Sequence, residues 1–190
     1  MEFSDEELCR QVAGGEASAF DALVERYQAR AYRLACSILG NEADARDVSQ
    51  DAFIRLYEAA SRFDERSKFS TWFHRILVNL CIDHQRRNRW WRKMVPIGKR
   101  DDDPDAPEID FPSDAPGPDV EIIRGESAGR LRGALDKLSA NQRAAVLMQA
   151  EEGFTSREIA EVLGCSEATA RVHVHRGIAA LKKILKGEEP

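Results

Sequence analysis

The sequence predicts an all-α protein: two small helical domains joined by an acidic, proline-rich linker. Three observations predict it. Apolar residues recur at helical spacing through most of the chain, while Val and Ile are too sparse to make an alternating strand pattern. Ser or Thr stands before several of these runs and Gly behind them, as helix caps do. Five of the seven prolines (Pro104, Pro107, Pro112, Pro116 and Pro118) crowd one stretch among acids, where few side chains could join a core. The expected boundaries are 1–95 for the first domain, 96–125 for the linker and 126–190 for the second.

In the first domain, Ser4 with Glu7 forms a capping-box pair that starts a short helix ending near Gly14-Gly15. A longer helix follows from Glu16 to about Leu39, its buried side marked by Phe20, Leu23, Val24, Tyr27, Leu34 and Ile38. Gly40-Asn41 breaks it. The next helix begins near Glu42, with Val48, Ala52, Phe53, Leu56, Ala60 and Phe63 as its core stripe. Its other side carries Asp47, Gln50, Asp51 and Arg55, which by pattern alone read as a solvated face. Ser70 or Thr71 opens a fourth helix with a wide apolar face of Trp72, Phe73, Ile76, Leu77, Leu80 and Cys81. Aromatic residues interleaved there with Arg75, Asn79, Arg86 and Arg87 suit an unpaired nucleic-acid strand, since bases stack on rings while cations hold phosphates. A buried aromatic cluster with a basic helix end fits the same pattern equally well.

The second domain starts with a helix carrying Leu131, Leu135 and Leu138, and Ser139 with Gln142 caps another that ends at Gly153. Thr155 with Glu158 opens a short helix whose apolar residues are Ile159, Ala160, Val162 and Leu163. Gly164 sits where a left-handed backbone is needed, and Ser166 caps a longer helix. Ala170, Val174, Ile178, Leu181 and Leu185 recur there at helical spacing, with Ala170, Val174 and Leu181 on the apolar stripe. A short helix, a Gly turn and a longer helix make a helix-turn-helix. Thr169, Val172, Arg176 and Lys183 fall outward, flanked by Arg171 and His175. Arginine offers a fork to guanine, and valine or threonine methyls meet thymine methyls in a major groove.

Composition narrows the function. The formal net charge of −5 is unusual for a protein that binds duplex DNA, because counterion release needs many cations on phosphates. The charge is unevenly spread. Arg86, Arg87, Arg89, Arg92, Lys93, Lys99 and Arg100 are followed by Asp101, Asp102, Asp103, Asp105 and further acids. Such a sign change points to separate partners for separate segments, and binding to free duplex should be weak. Cys9, Cys36, Cys81 and Cys165 are widely separated and read as small apolar residues in a reducing cytoplasm. The four histidines are expected at the surface or facing DNA, without metal-site spacing. No segment is apolar enough to enter a membrane.

Three motifs in order carry a family resemblance: DARDVSQDAFIRLY (44–57), FSTWFHRILVNLCIDHQRR (69–87), and LSANQRAAVLMQAEEGFTSREIAEVLGCSEATARVHVHRGIAALKK (138–183). Together they resemble a bacterial RNA polymerase sigma factor of the extracytoplasmic-function group, across almost the whole chain. The resemblance implies a region 2 bundle, a region 4 helix-turn-helix, and a dissociable subunit that gives core RNA polymerase its promoter specificity. It implies polymerase contact by Asp47, Gln50, Asp51 and Ile54, against the solvated-face reading. It implies that Phe63, Ser70, Thr71, Trp72 and Asn79 surround a flipped base of the minus-ten element, with Arg86 and Arg87 on phosphates. Thr169, Arg171, Val172, His175 and Arg176 would read the minus-thirty-five element. Here His173 and His175 stand where a cation or aromatic is frequent, and Val172 where a small hydroxyl is, departures that bear on the preferred sequence. It also implies an anti-sigma partner controlling a stress or envelope response.

No cofactor is expected, nor catalysis, since the His, Cys and Asp side chains scatter over different helix faces. The alternative is a stand-alone helix-turn-helix regulator, which would bind duplex half-sites without polymerase. The linker acids are expected to thread a basic nucleic-acid channel of the polymerase as phosphate mimics.

Overall fold

A computed structural model of the chain describes residues 3–64, 66–94 and 129–187; the predicted linker, including its acids and prolines, lies outside the described residues. Eight α-helices are described and no strand: α1 (Asp5–Ala13), α2 (Ala17–Leu39), α3 (Glu42–Ala59), α4 (Phe69–Met94), α5 (129–136), α6 (Ala140–Glu151), α7 (Ser156–Leu163) and α8 (Glu167–Leu185).

The ends of these helices follow local chemistry. Ser4, Ser139 and Thr155 each close a reciprocal capping box with Glu7, Gln142 and Glu158. Gly40 ends α2 at φ 71° and Gly164 ends α7 at φ 63°, a left-handed backbone that costs glycine nothing. Asn41 then caps α3 through Asp44 N–H. The α-helix of α3 stops at Ala59, and one 3-10 turn over Ala60–Arg62 leads to Phe63. The fourth helix opens at Phe69, slightly ahead of the predicted Ser70 or Thr71. The Phe69 N–H donates to Glu6 Oε1 of α1 at 3.0 Å, so a carboxylate meets the positive end of α4.

Helices α1 to α4 enclose a core around Leu23, Tyr27, Leu34, Phe53, Leu56, Phe69, Phe73 and Leu77. Tyr27 stands edge-on to both Phe69 and Phe73, with ring centroids 5.3 and 5.5 Å apart. The second domain packs α6, α7 and α8 around Met148, Ile159, Val162, Ala170 and Val174. The cysteines are free, and burial pushes the Cys9 and Cys81 thiols up to about 11 and about 12, so both behave as small apolar side chains.

The predicted apolar stripe of α8, Ala170, Val174 and Leu181, faces inward, but the other apolar residues at that spacing do not. Ala170 and Val174 are buried, but Ile178 is 37% exposed and Leu185 is 48% exposed. At ~100° per residue, Ala170, Val174, Gly177 and Leu181 share one face, and Ile178 and Leu185 fall on its flank. On α5, Leu131 is exposed while Leu135 is buried.

The two domains are not apart. Helix α7 packs across α4, and α6 lies against α2 and α4. His74 of α4, expected at the surface, is therefore 1% exposed, with the Phe154 ring edge-on to it at 4.9 Å.

Candidate nucleic-acid interface

The outer surface of α8 is built by its cap and its packing. The Ser166 hydroxyl accepts from Thr169 N–H at 3.1 Å, which sets the first turn. With Ala170 and Val174 inward, Thr169, Arg171, Val172, His175 and Arg176 are all exposed. Val172 is 44% exposed, a hydrophobic side chain displayed on a polar face. Arg171 is tied to Glu167 one turn back, whereas Arg176 has no hydrogen bond or ion pair to the described residues. All five predicted residues of this reader lie together.

On α4 the predicted residues divide. Trp72, Ile76, Asn79, Asp83 and Arg86 recur at helical spacing along one outer stripe, with Arg87 beside it. Phe63 reaches this stripe from the end of the 3-10 turn, its ring 5.2 Å from Trp72 and 6.0 Å from Phe69. Phe63 and Trp72 are half-buried, so each keeps part of a ring open to a stacking partner. Asn79 lines a cleft between α3 and α4 with Arg55, Arg62 and Asp83. Ser70 and Thr71 do not join the stripe. Thr71 is 3% exposed, and the Ser70 carbonyl accepts from His74 Nδ1 at 2.7 Å on the other side of the helix.

On α3, Asp47, Gln50, Asp51 and Ile54 share one exposed face. Ile54 is 55% exposed, and Tyr57 beside it is 52% exposed with its ring edge-on to Phe20 at 5.3 Å. Two large apolar side chains are thus displayed among acids on this face. The sequence reading missed Tyr57, though its place one turn beyond Ile54 was readable from helical spacing. It placed Arg55 on the polar side of α3 and did not single out Arg62; the two flank Asn79 only once α3 and α4 are side by side.

Two family descriptions match the chain: Sigma-70 region 2 over residues 23–91 and Sigma-70, region 4 over residues 128–181. The chain is 30% identical to the ECF RNA polymerase sigma factor SigW of Bacillus subtilis (strain 168), with 98% of this chain and 99% of that protein covered. It belongs to the extracytoplasmic-function sigma factors of RNA polymerase. Another relative is the RNA polymerase sigma-H factor of Pseudomonas aeruginosa, 30% identical over 96% of this chain and 94% of that one. Among solved structures, CnrH in complex with the cytosolic domain of CnrY is 26% identical, with a TM-score of 0.68 over 97% of this chain and 99% of that chain. The sigma factor RpoE in complex with the anti-sigma factor NepR from Bartonella quintana shares the fold at 22% identity, with a TM-score of 0.66 over 90% of this chain and 98% of that one.

A sigma factor binds core RNA polymerase and promoter DNA and directs initiation; it is not an enzyme. The stand-alone regulator is thereby set aside. Among the described residues, no helix is long and apolar enough to cross a membrane.

Proposed function

We propose that this sigma factor divides its work among three faces. The α3 face of Asp47, Gln50, Asp51 and Ile54, extended by Tyr57, docks on core polymerase. The outer stripe of α4 takes the unpaired strand of the minus-ten element: Phe63 and Trp72 stack, Asn79 meets a base edge in the cleft beside Arg55 and Arg62, and Arg86 and Arg87 hold phosphates. Trapping an extruded base there offsets an unstacking cost of a few kcal/mol, which is how melting would be driven. Ser70 and Thr71 belong to this site only after local rearrangement, since neither is on the outer stripe. Thr169, Arg171, Val172, His175 and Arg176 of α8 take the minus-thirty-five element in the major groove.

Residues 1–95 then form the polymerase-docking and minus-ten domain, 96–125 the tether, and 126–190 the minus-thirty-five domain. The observation that carries this reading is the α4 stripe, where Phe63 and Trp72 lie 5.2 Å apart in line with Asn79 and Arg86. Holding both readers on one large enzyme turns two weak contacts into one tight engagement by effective concentration. That accounts for an acidic chain that binds promoters. We further assign the protein to the cytoplasm, under an anti-sigma protein and serving a stress or envelope response. The likeness to CnrH, solved with the cytosolic domain of CnrY, supports that control because it extends over both domains.

The test is reconstitution with core polymerase and run-off transcription from the promoter upstream of the chain's own gene. Trp72→Ala and Asn79→Ala should abolish strand opening, read by permanganate reactivity of unpaired thymines, while leaving polymerase binding intact. Opening that survives both substitutions would refute the assignment of the stripe.

A further inference from the structure

We propose that Glu6 of α1 is a positioning residue for the minus-ten reader, holding the first turn of α4 so that Trp72 and Phe63 present one stacking platform. The inference rests on the assignment of the α4 stripe above and adds to it a residue on another helix. A helix begins with four backbone N–H groups that have no partner inside it, and a side-chain acceptor at its N-terminus usually takes one. The residue in the capping position of α4 cannot supply that acceptor. Lys68 carries only donors, and its ammonium pairs with Glu158 Oε1 at 2.9 Å. Ser70 and Thr71, the neighbouring residues suited to cap, already lie inside the helix. The acceptor comes instead from 63 positions upstream, where Glu6 Oε1 takes the Phe69 N–H at 3.0 Å. That accounts for α4 opening at Phe69 and not later.

Glu6 can reach because α1 is pinned. Leu8, Cys9 and Val12 are buried. Asp5, the neighbour of Glu6, accepts from the Tyr27 hydroxyl at 2.5 Å and from Arg26 Nη1 at 2.7 Å, both on α2. Burial, then the Asp5 carboxylate, push the Tyr27 hydroxyl well above its ordinary value, so it stays a donor. Two adjacent carboxylates thus tie one short helix to α2 and to α4. The same helix packs against the 3-10 turn over Ala60–Arg62. Both segments that deliver the reader's rings, the turn leading to Phe63 and the helix carrying Trp72, therefore touch α1.

Phe69 carries the effect of the cap to the platform. Its side chain is fully buried and stacked on Phe73 with the ring planes 3° apart, and its centroid lies 6.0 Å from Phe63 and 5.9 Å from Trp72. Trp72 is the fourth residue of α4, and its N–H makes the first bond of the helix, donating to the Lys68 carbonyl at 3.1 Å. A first turn that frays takes Trp72 with it. A strand that binds only the ordered turn then loses affinity by the ordered fraction. Arg86 stands about 25 Å further along α4, so the cap acts on stacking and leaves the phosphate contacts in place.

The test uses the full chain assembled on core RNA polymerase and a fluorescent single strand copied from the minus-ten region of the promoter upstream of its own gene. Glu6→Ala removes the acceptor, Glu6→Asp keeps the charge one methylene short of Phe69, and Glu6→Gln keeps an oxygen in reach. Glu6→Ala and Glu6→Asp should weaken strand binding at least about fivefold, the size of one lost cap, while Glu6→Gln stays within about twofold of wild type. Affinity for core polymerase should not change. In the free chain, the Phe69 amide should exchange its hydrogen at least about tenfold faster in Glu6→Asp than in wild type. Unchanged strand affinity in Glu6→Ala and Glu6→Asp overturns the inference. An equal loss in Glu6→Gln, or an equal loss of polymerase affinity, overturns it too, since the effect would then be one of charge or of general stability. Should Glu6→Ala lose helical content, Glu6→Asp against Glu6→Gln carries the test, because both keep a polar side chain in the first turn of α1. Trp72→Ala in the same assay separates the two readings. If it binds the strand as wild type does, the α4 stripe is not the reader and this inference falls with it; loss in Trp72→Ala alone overturns only the role of Glu6.

Discussion

Gly177 of α8 faces α6 so closely that a Cβ built on it would stand 2.6 Å from Val146 Cγ2 and 3.3 Å from the Gln142 carbonyl oxygen. A side chain there would push the buried Val146 methyl aside and make the Gln142 backbone give by a few tenths of an ångström. The closeness of this crossing seats the inner face of α8 on α6 and leaves its outer face exposed. Gly177→Ala should therefore destabilise the second domain by about 1–3 kcal/mol, despite the better helix propensity of alanine. Denaturant unfolding checks this: a stability equal to or above wild type would mean that the crossing is looser than described.

Much of this architecture is local and was therefore legible in the sequence. Ser4, Ser139, Thr155, Ser166, Gly40 and Gly164 act on neighbours within a few positions, and each stands where its residue type demands. What pattern cannot carry is the partner across the chain. Arg30 meets Glu152, Lys68 meets Glu158 and Arg143 meets Ile38 at separations of 122, 90 and 105 positions. His74 looked like a surface histidine because nothing near it in sequence announces Phe154 and Glu152. Ile178 and Leu185 recur at the same spacing yet stay on the flank, because spacing alone cannot show how wide the buried face is. The same limit applies to the minus-ten set, where spacing could not reveal that Thr71 would be buried while Trp72 stayed half-open.

Ile54 is exposed yet apolar, so its change should be felt by a partner and not by the fold. Ile54→Asp puts a charge at the centre of the proposed polymerase face, and loss of a central apolar anchor costs about 2 kcal/mol or more in binding. Affinity for core polymerase, measured by titration, should fall at least about thirtyfold, with thermal stability unchanged. Equal affinity would move the docking face elsewhere.

Arg176 has no hydrogen bond or ion pair among the described residues, whereas Arg171 is held by Glu167. Arg176→Ala should cost about 1–3 kcal/mol at one position of the minus-thirty-five element and relax preference there. Transcription from a promoter library, with the sigma factor assembled on core polymerase, reads this directly. A uniform loss across all sequences would reassign Arg176 to a phosphate contact.

The Lys68–Glu158 pair has a pH signature. The Lys68 side chain, followed by the Thr155 backbone and hydroxyl, holds the Glu158 carboxyl down to about 2, from an ordinary value of 4.5. Because the folded value is depressed, the stabilisation is complete above pH 4.5 and is lost as pH falls from 4.5 through about 2. Lys68→Met removes the largest cause while leaving the Thr155 cap. Carboxyl chemical shifts followed by NMR should then show the Glu158 midpoint rise yet stay below the ordinary range. Since Thr155 belongs to the same domain as Glu158 and Lys68 to the other, the size of the rise measures how much of the depression depends on contact between the domains. A midpoint that does not move on Lys68→Met would mean that the pair is not formed in solution.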